Sequence, residues 1–274
     1  MERCSGAVRR GRCVTPQSTQ ANKSPTERFS SRVENYARYR PSYPPAALEL
    51  LQRRCGLGAG VVVADIGAGT GILTQLLLES GAEVIGVEPN DGMRAAAERA
   101  LAGNPRFRSV KGTAEASTLE GGSIDLLVAG QAFHWFDPAG ARAEALRVLR
   151  PARWGALLWN EHPSAASAFL ADYEALVRRH APEYDQVVGR RADETRMREF
   201  FGGPMERATF VNQQRFTYAG LCGRLMSSSY APEAGDPQHE PLLAGLQQVF
   251  ERHAHAGTVV FPYVTLVYFA QLQR

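Results

Sequence analysis

Cysteine is scarce in this chain, with four in 274 residues. Cys4, Cys13, Cys55 and Cys222 are widely scattered, lack the paired spacing of a zinc site and are too few for a disulfide scaffold, so a reducing, cytoplasmic compartment is expected. Long apolar runs are missing too. No stretch approaches the roughly 20 apolar residues of a membrane helix, which argues against an integral membrane protein. There is no internal repeat. What is present is the ordinary mixture of a globular protein, 44% hydrophobic and 22% charged, which excludes a collagen-like or wholly disordered chain.

Excess positive charge is confined to one end. Residues 1–40 hold nine Arg/Lys against three acids, a balance of +6, so the net +3 of the whole chain leaves the remainder at −3. The mildly acidic remainder offers no broad basic face for a phosphate backbone, so no nucleic-acid partner is expected. Residues 1–27 are rich in Arg, Ser, Thr, Gln and Gly and poor in large apolar groups, which predicts a disordered tail. No apolar run follows its arginines, so it does not read as a secretory signal, although an Arg-rich, acid-poor start also resembles an organelle transit peptide.

Ordered structure is expected from residue 28 onward, as one domain over 28–274. A helix is predicted from Thr26, a possible N-cap, to Arg40, where Pro41 forces an end. A second runs from Pro45 to Arg54. Strands are expected at Val61–Ile66, Glu83–Val87, Phe107–Lys111, Ile124–Ala129 and Gly155–Trp159, with helices at Leu73–Leu78, Asp91–Leu101 and Ala141–Leu149 between them. Strands alternating with helices predict a doubly wound α/β fold with a parallel sheet. Residues 164–202 read as mostly helical, Thr209–Thr217 as a weakly alternating strand, Leu242–His253 as an amphipathic helix and Thr258–Gln271 as a C-terminal strand.

The sharpest feature is Asp65-Ile66-Gly67-Ala68-Gly69-Thr70-Gly71, between the first strand and its helix. Glycines there let the backbone turn tightly and approach a ligand, and that strand end is where open α/β sheets bind ligands. Glu88 ends the second strand 17 residues after Gly71, where a carboxylate can accept both hydroxyls of a ribose. The spacing is G-x-G-x-G rather than the G-x-G-x-x-G of a dinucleotide fingerprint. Asp65 would repel a pyrophosphate but could hold an ammonium. A ligand with a ribose, an amino group and no phosphate fits S-adenosyl-L-methionine (SAM) better than NAD. A tight turn with no ligand is the bland alternative.

Val63–Gly71 resembles motif I of the class I SAM-dependent methyltransferases, and Gly86-Val87-Glu88-Pro89-Asn90 resembles their following acidic-loop motif. Tyr36-Ala37-Arg38-Tyr39-Arg40-Pro41-Ser42-Tyr43-Pro44, Gly112-Thr113-Ala114-Glu115, Gly130-Gln131-Ala132-Phe133-His134-Trp135, Ser227-Ser228-Ser229-Tyr230 and Tyr263-Val264-Thr265-Leu266-Val267-Tyr268 are similar to segments of the methyltransferase type 11, trans-aconitate methyltransferase-like small-molecule branch. The resemblance covers roughly 28–274 and implies a doubly wound, mostly parallel seven-stranded sheet with an antiparallel C-terminal strand and a helical lid, mainly within 164–235.

The resemblance also implies roles. Asp65 and the backbone of Gly67, Ala68, Gly69 and Gly71 would hold the methionine part of SAM. Glu88 would take the ribose. Pro89, Asn90 and Met93 would lie by the adenine, with Thr113, Ala114 and Glu115 at its edge. Thr113 stands where many relatives have Asp, so the exocyclic-amine contact passes to Glu115. Gln131 and Ala132 would lie beside the sulfonium. Tyr36 and Arg40, four apart on one helix face, would face SAM's carboxylate or an acidic substrate; an exposed Arg beside a packed Tyr is the alternative. Tyr43, His134, Trp135, Ser228 and Tyr230 are expected around the substrate. No metal is implied.

Methyl transfer from a sulfonium is an in-line displacement, for which alignment and exclusion of water matter most. A carboxylate acceptor needs no base. A hydroxyl acceptor needs one, and His134 is the candidate; a histidine capping the following helix is the alternative. The chain lacks the Asp/Asn-Pro-Pro-aromatic segment of amino-methylating DNA enzymes and a Pro-Cys pair for attack on cytosine carbon. A small-molecule methyltransferase, monomeric or homodimeric, is therefore expected. A non-catalytic SAM-binding regulator and a NAD-dependent oxidoreductase are the other readings.

Overall fold

The computed structural model describes residues 32–163, 167–185 and 193–273. The expected tail over 1–27, the expected cap Thr26 and the stretches 164–166 and 186–192 of the expected lid lie outside the described residues.

Helix α1, Val33–Tyr39, ends where Arg40 turns extended (φ −71°, ψ 145°) ahead of Pro41. Helix α2, Pro45–Cys55, starts with proline at its first position and stops at Gly56 in the left-handed conformation. Its Ala47, Leu48, Leu51 and Cys55 recur at helical spacing and are buried. The alternating part follows: β1 Val62–Ile66, α3 Ile72–Glu79, β2 Glu83–Val87, α4 Asp91–Ala100, β3 Phe107–Val110, β4 Ile124–Gly130, a 3₁₀ turn at Phe133–Trp135, α5 Pro138–Val148 and β5 Leu149–Glu161. The C-terminal part contains α6 Ala168–His180, α7 Glu194–Phe201, β6 Glu206–Phe216, α8 Tyr218–Met226, α9 His239–His253 and β7 Val259–Gln271.

The seven strands form one sheet in the order β3-β2-β1-β4-β5-β7-β6. Strands β1 to β5 pair in parallel. Strand β7 runs antiparallel to both β5 and β6, so it is the reversed strand and lies inside the sheet while β6 forms the edge. The alternating strands fall near their expected places. Two bounds differ. Strand β5 runs from Leu149, not Gly155, because its apolar run marks only the part buried on both faces; Leu149 is buried, but residues 150–154, with Arg153 at φ 48°, are exposed or half-buried. Strand β6 begins at Glu206 because an edge strand exposed on one face carries a faint alternation.

One apolar layer packs between the sheet and α5 and α7, and another between the sheet and α2 and α3. A third sits apart from the sheet centre, where Phe169, Tyr173, Leu221, Leu246, Phe261 and their neighbours join α6, α8, α9 and the start of β7. The strand order reverses between β1 and β4, since β1 is followed outward by β2 on one side and by β4 on the other. The turns leaving these two strands therefore diverge and leave a crevice at their carboxyl ends.

Candidate active site

The turn after β1 is built by three left-handed glycines, Gly67 (φ 72°), Gly69 (φ 59°) and Gly71 (φ 88°). Two have no room for a side chain. A Cβ on Gly67 would lie 2.5 Å from the Ala132 Cβ, so the first and fourth strand ends approach each other only because residue 67 is glycine. A Cβ on Gly71 would press on Ala97 and Leu101 of α4. Gly69 differs: one carbonyl oxygen, 3.9 Å away, is the nearest atom to its Cβ position, and the rest is open space.

Two carboxylates serve this turn. Asp65, at the end of β1, is 1% exposed and accepts a 2.6 Å hydrogen bond on Oδ2 from the Thr74 hydroxyl of α3. Its Oδ1 is buried with no hydrogen-bond partner among the described residues. Burial pushes its pKa up to about 7; the Thr74 bond opposes this and nearby Glu88 adds to it. Glu88 accepts the Gly69 amide on Oε2 (2.9 Å) and the Asn90 amide on Oε1 (2.8 Å), so it ties the glycine turn to the end of β2. Burial raises its pKa, against the pull of those two amides. Asn90 caps α4, its Oδ1 accepting the Met93 amide at 2.9 Å.

These groups line a two-lobed cleft. The larger lobe, about 270 Å³, is bounded by Glu88, Pro89, Asn90 and Met93 from the end of β2 and α4, by Thr113, Ala114 and Glu115 after β3, and by Ala132, Trp135 and Phe136 after β4. The smaller, about 40 Å³, is bounded by Arg40, Pro41, Tyr43, Asp65, Ala68 and Thr70. Tyr36, Gly67, Gly69, Gly130 and Gln131 border both. Gln131 sits at φ 59°, a conformation uncommon outside glycine; its amide donates to the Leu158 carbonyl (2.9 Å) and its side chain to the Asn160 carbonyl (3.0 Å).

The Tyr36 and Arg40 spacing translates directly: the guanidinium lies 4.9 Å from the centre of the Tyr36 ring. Arg40 also donates to the Ser227 carbonyl (2.8 Å) and the Ser228 hydroxyl (3.4 Å). Tyr43 is buried with its hydroxyl against Gly130, and burial raises its pKa. Thr113 and Glu115 line the larger lobe, but both have structural duties. The Thr113 hydroxyl accepts the Ala116 amide (3.2 Å), and the Glu115 carboxylate accepts the Asp137 amide (2.9 Å).

Four expected residues stand outside the two lobes. Gly71 serves the turn and the packing of α3 against α4. His134 lies in the 3₁₀ turn with its ring 4.8 Å from that of Trp135 and borders neither lobe. It does not cap α5 either, because Asp137 does, accepting the Gly140 amide at 2.8 Å. Ser228 and Tyr230 are buried in the third apolar layer, with Tyr230 edge-on to Tyr184 at 5.0 Å. Phe133 is core, packed edge-on against Phe136, Trp159 and Phe200. The sequence reading missed Thr74, which holds Asp65, and Phe136 and Gly130, which line the cleft. It also missed Arg196 of α7, whose guanidinium holds the carbonyls of His134 (3.5 Å) and Phe136 (2.5 Å). No local pattern marks Thr74 or Arg196, since each acts on a partner in another element.

The chain matches, over residues 64–155, the family described as "Methyltransferase domain". It is 33% identical over 244 residues to the uncharacterized methyltransferase Rv3342 of Mycobacterium tuberculosis, covering 87% of this chain and 93% of that protein. Among solved structures, its fold is similar to the YcgJ protein of Bacillus subtilis (TM-score 0.53, 20% identity, 84% of this chain and 99% of that one). It is also similar to phosphoethanolamine N-methyltransferase 2 of Haemonchus contortus in complex with SAM (TM-score 0.53, 15% identity, 89% of this chain and 57% of that one). Among the described residues no helix is long and apolar enough to cross a membrane. The chain belongs to the class I SAM-dependent methyltransferases.

Proposed function

We propose that the cleft binds SAM, with the nucleoside in the larger lobe and the amino-acid end in the smaller, and that a small organic molecule receives the methyl group on an oxygen. The observation that carries this is the buried Asp65 carboxylate, with Oδ1 unpartnered at the edge of the smaller lobe. A buried carboxylate oxygen without a donor is costly, and an ammonium is the group that would relieve it. The rest of the site fits the same ligand. The open space at Gly69 admits close approach. Glu88 keeps lone pairs for hydroxyls after accepting two amides, because each carboxylate oxygen can accept more than one hydrogen bond. A pyrophosphate would meet Asp65 and Glu88 instead of a cation.

When bound, SAM supplies a methyl carbon on a sulfonium; an acceptor oxygen bonds to it as the carbon–sulfur bond breaks and the electron pair stays on sulfur. The protein aligns and dries the site. Tyr36, stacked on Arg40, borders both lobes. Gln131, held in its uncommon backbone conformation by Leu158 and Asn160, fixes the edge beside Gly67.

A carboxylate acceptor is favoured over a hydroxyl. The titratable side chains on the described cleft walls are Tyr36, Arg40, Tyr43, Asp65, Glu88 and Glu115, and no histidine or lysine stands among them. Carboxylate methylation needs no base. His134 is the base only if the acceptor is a hydroxyl and the turn carrying it opens toward the cleft. Calorimetry tests the reading: S-adenosylhomocysteine binds and NADH does not. Tighter binding of NADH would overturn it. Labelled SAM with a panel of carboxylic acids and phenols then separates the two acceptors.

A further inference from the structure

Residues 111–123 join β3 to β4 and contain neither helix nor strand. Such a stretch has no ladder of its own to order it, so its place is set by partners elsewhere. Its first part, Thr113, Ala114 and Glu115, lines the larger lobe. Its second part is gripped by α5. Glu144 is buried, and its Oε1 accepts the Ser117 amide (2.9 Å), the Ser117 hydroxyl and Arg147 Nη2 (2.7 Å). Its Oε2 accepts Arg147 Nε (2.7 Å). Arg147 Nη2 also donates to the Leu119 carbonyl (2.7 Å), and the Arg147 carbonyl accepts the Gly122 amide (3.0 Å).

The grip reaches the lobe through the backbone. The chain folds back so closely that a Cβ on Gly112 would lie 2.8 Å from the Ser117 carbonyl oxygen. The Thr113 amide donates to the Ala116 carbonyl (3.1 Å), and the Thr113 hydroxyl accepts the Ala116 amide in return (3.2 Å). Holding Ser117 therefore holds Thr113. The wall after β4 depends on α5 as well. Trp135 and Phe136 directly precede its N-cap, Asp137, whose amide donates to Glu115 (2.9 Å). A buried carboxylate needs several donors, and two of those at Glu144 come from the backbone and hydroxyl of a residue outside its own helix. The Arg147 bonds, with help from Ser117 and against burial, hold the Glu144 pKa down at about 2, so the anchor is charged at any physiological pH.

We infer that Glu144 and Arg147 are positioning residues for the cofactor: acting through Ser117 and Leu119, they hold Thr113, Ala114 and Glu115 against its base. This rests on the reading above, that the nucleoside occupies the larger lobe. Glu144 and Arg147 do not line that lobe, so they act without touching the ligand. Their effect is on the energy of ordering. A loop already held in place does not have to be ordered when the base arrives, and binding keeps that energy. Losing the grip lets 111–123 sample other conformations in the free protein, and affinity falls by the fraction of time the fitting one is absent.

The test uses the full-length chain and calorimetry with two ligands, S-adenosylhomocysteine and 5′-methylthioadenosine, which has the nucleoside but not the amino-acid end. Arg147→Met removes the side-chain bonds to Glu144 and Leu119 from a half-exposed site, so the chain should fold, and a thermal scan checks that it does. Both ligands should bind about tenfold more weakly and by the same factor, the value of one hydrogen bond involving a charged group. Arg147→Lys should recover part of the loss. The pH midpoint of S-adenosylhomocysteine binding, set by Asp65 at the other end of the ligand, should not move. Glu144→Gln should weaken both ligands further; if it does not fold, Arg147→Met still decides. Failure of either ligand to bind the wild-type chain would overturn the placement of the nucleoside and this inference with it. Unchanged affinity in folded Arg147→Met, a loss confined to S-adenosylhomocysteine, no recovery with lysine, or a shifted midpoint would overturn this inference alone.

Discussion

The two halves of the site satisfy their polar groups in opposite ways. Around the glycine turn, partners are near in sequence: Asn90 to Glu88 across two residues, Asp65 to Thr74 across nine, Gly69 to Glu88 across 19. Around the 227–231 loop they are remote. Arg40 reaches Ser227 across 187 residues, and Arg32 reaches the carbonyls of Ser228 and Ala231 across 196 and 199. The first half is assembled by a strand, a turn and a helix that follow one another. The second exists only once the N-terminal helix has docked on α8. Local assembly leaves its trace in contiguous motifs, and remote assembly leaves scattered arginines.

If that contrast holds, damage to the near half should be severe and specific to the cofactor. Glu88→Ala removes the acceptor of the Gly69 and Asn90 amides, and with it the groups available to the ribose. S-adenosylhomocysteine affinity is expected to fall about 100-fold or more, the value of two charge-assisted hydrogen bonds, with a lowered melting temperature. Calorimetry and a thermal scan read both; near-normal affinity would break the comparison.

Gly67→Ala comes next. It puts a Cβ 2.5 Å from that of Ala132 and forces a left-handed backbone on alanine, for about 2–3 kcal/mol of lost stability. Pairing it with Ala132→Gly should recover the steric part only. Urea unfolding of the three variants resolves the two contributions.

A pH series sharpens the electrostatics. In the unliganded protein Asp65 titrates near 7, above its ordinary 3.8. Its folded form therefore holds a proton that the unfolded chain has released. Its contribution to stability declines as pH rises from about 4 to 7. A bound ammonium reverses the preference. Affinity for S-adenosylhomocysteine should rise about tenfold per pH unit below 7 and level above it, as expected for release of one proton. Asp65→Asn should bind weakly with a flat profile.

In the remote half the smallest effect is expected at Gly223. A Cβ there would lie 2.0 Å from the Tyr39 ring, so α1 rests on α8 through a glycine. Alanine gains about 1 kcal/mol of helix propensity and displaces the ring, so the net change in stability should stay within about 1 kcal/mol. Hydrogen exchange should nonetheless show α1 opening. Gly223→Ala should stabilise the chain when Tyr39→Ala is already present, and the reversal of sign is the informative result.

The same contrast explains how much could be read in advance. Val62–Ile66 and Glu83–Val87 stand where their apolar runs place them, because each run packs as one strand in a buried parallel sheet. Tyr36 and Arg40 meet because helical spacing alone makes them neighbours. Ser228 and Tyr230 were legible as notable residues but not as buried ones, since their burial is decided by α1, α6 and the start of β7. The full reach of β5 was hidden because Arg150, Pro151, Ala152 and Arg153, exposed or half-buried, separate Leu149 from the buried apolar run.

The order of strands and helices, the glycine turn and the two carboxylates beside it follow from the sequence by itself, because backbone sterics, side-chain period and burial of short runs act over a few residues. Only the tertiary structure decided that β7 inserts between β5 and β6 and that Asp65 keeps one oxygen without a partner among the described residues. Those are facts about which distant surfaces exclude water together, and no window of the chain contains both surfaces.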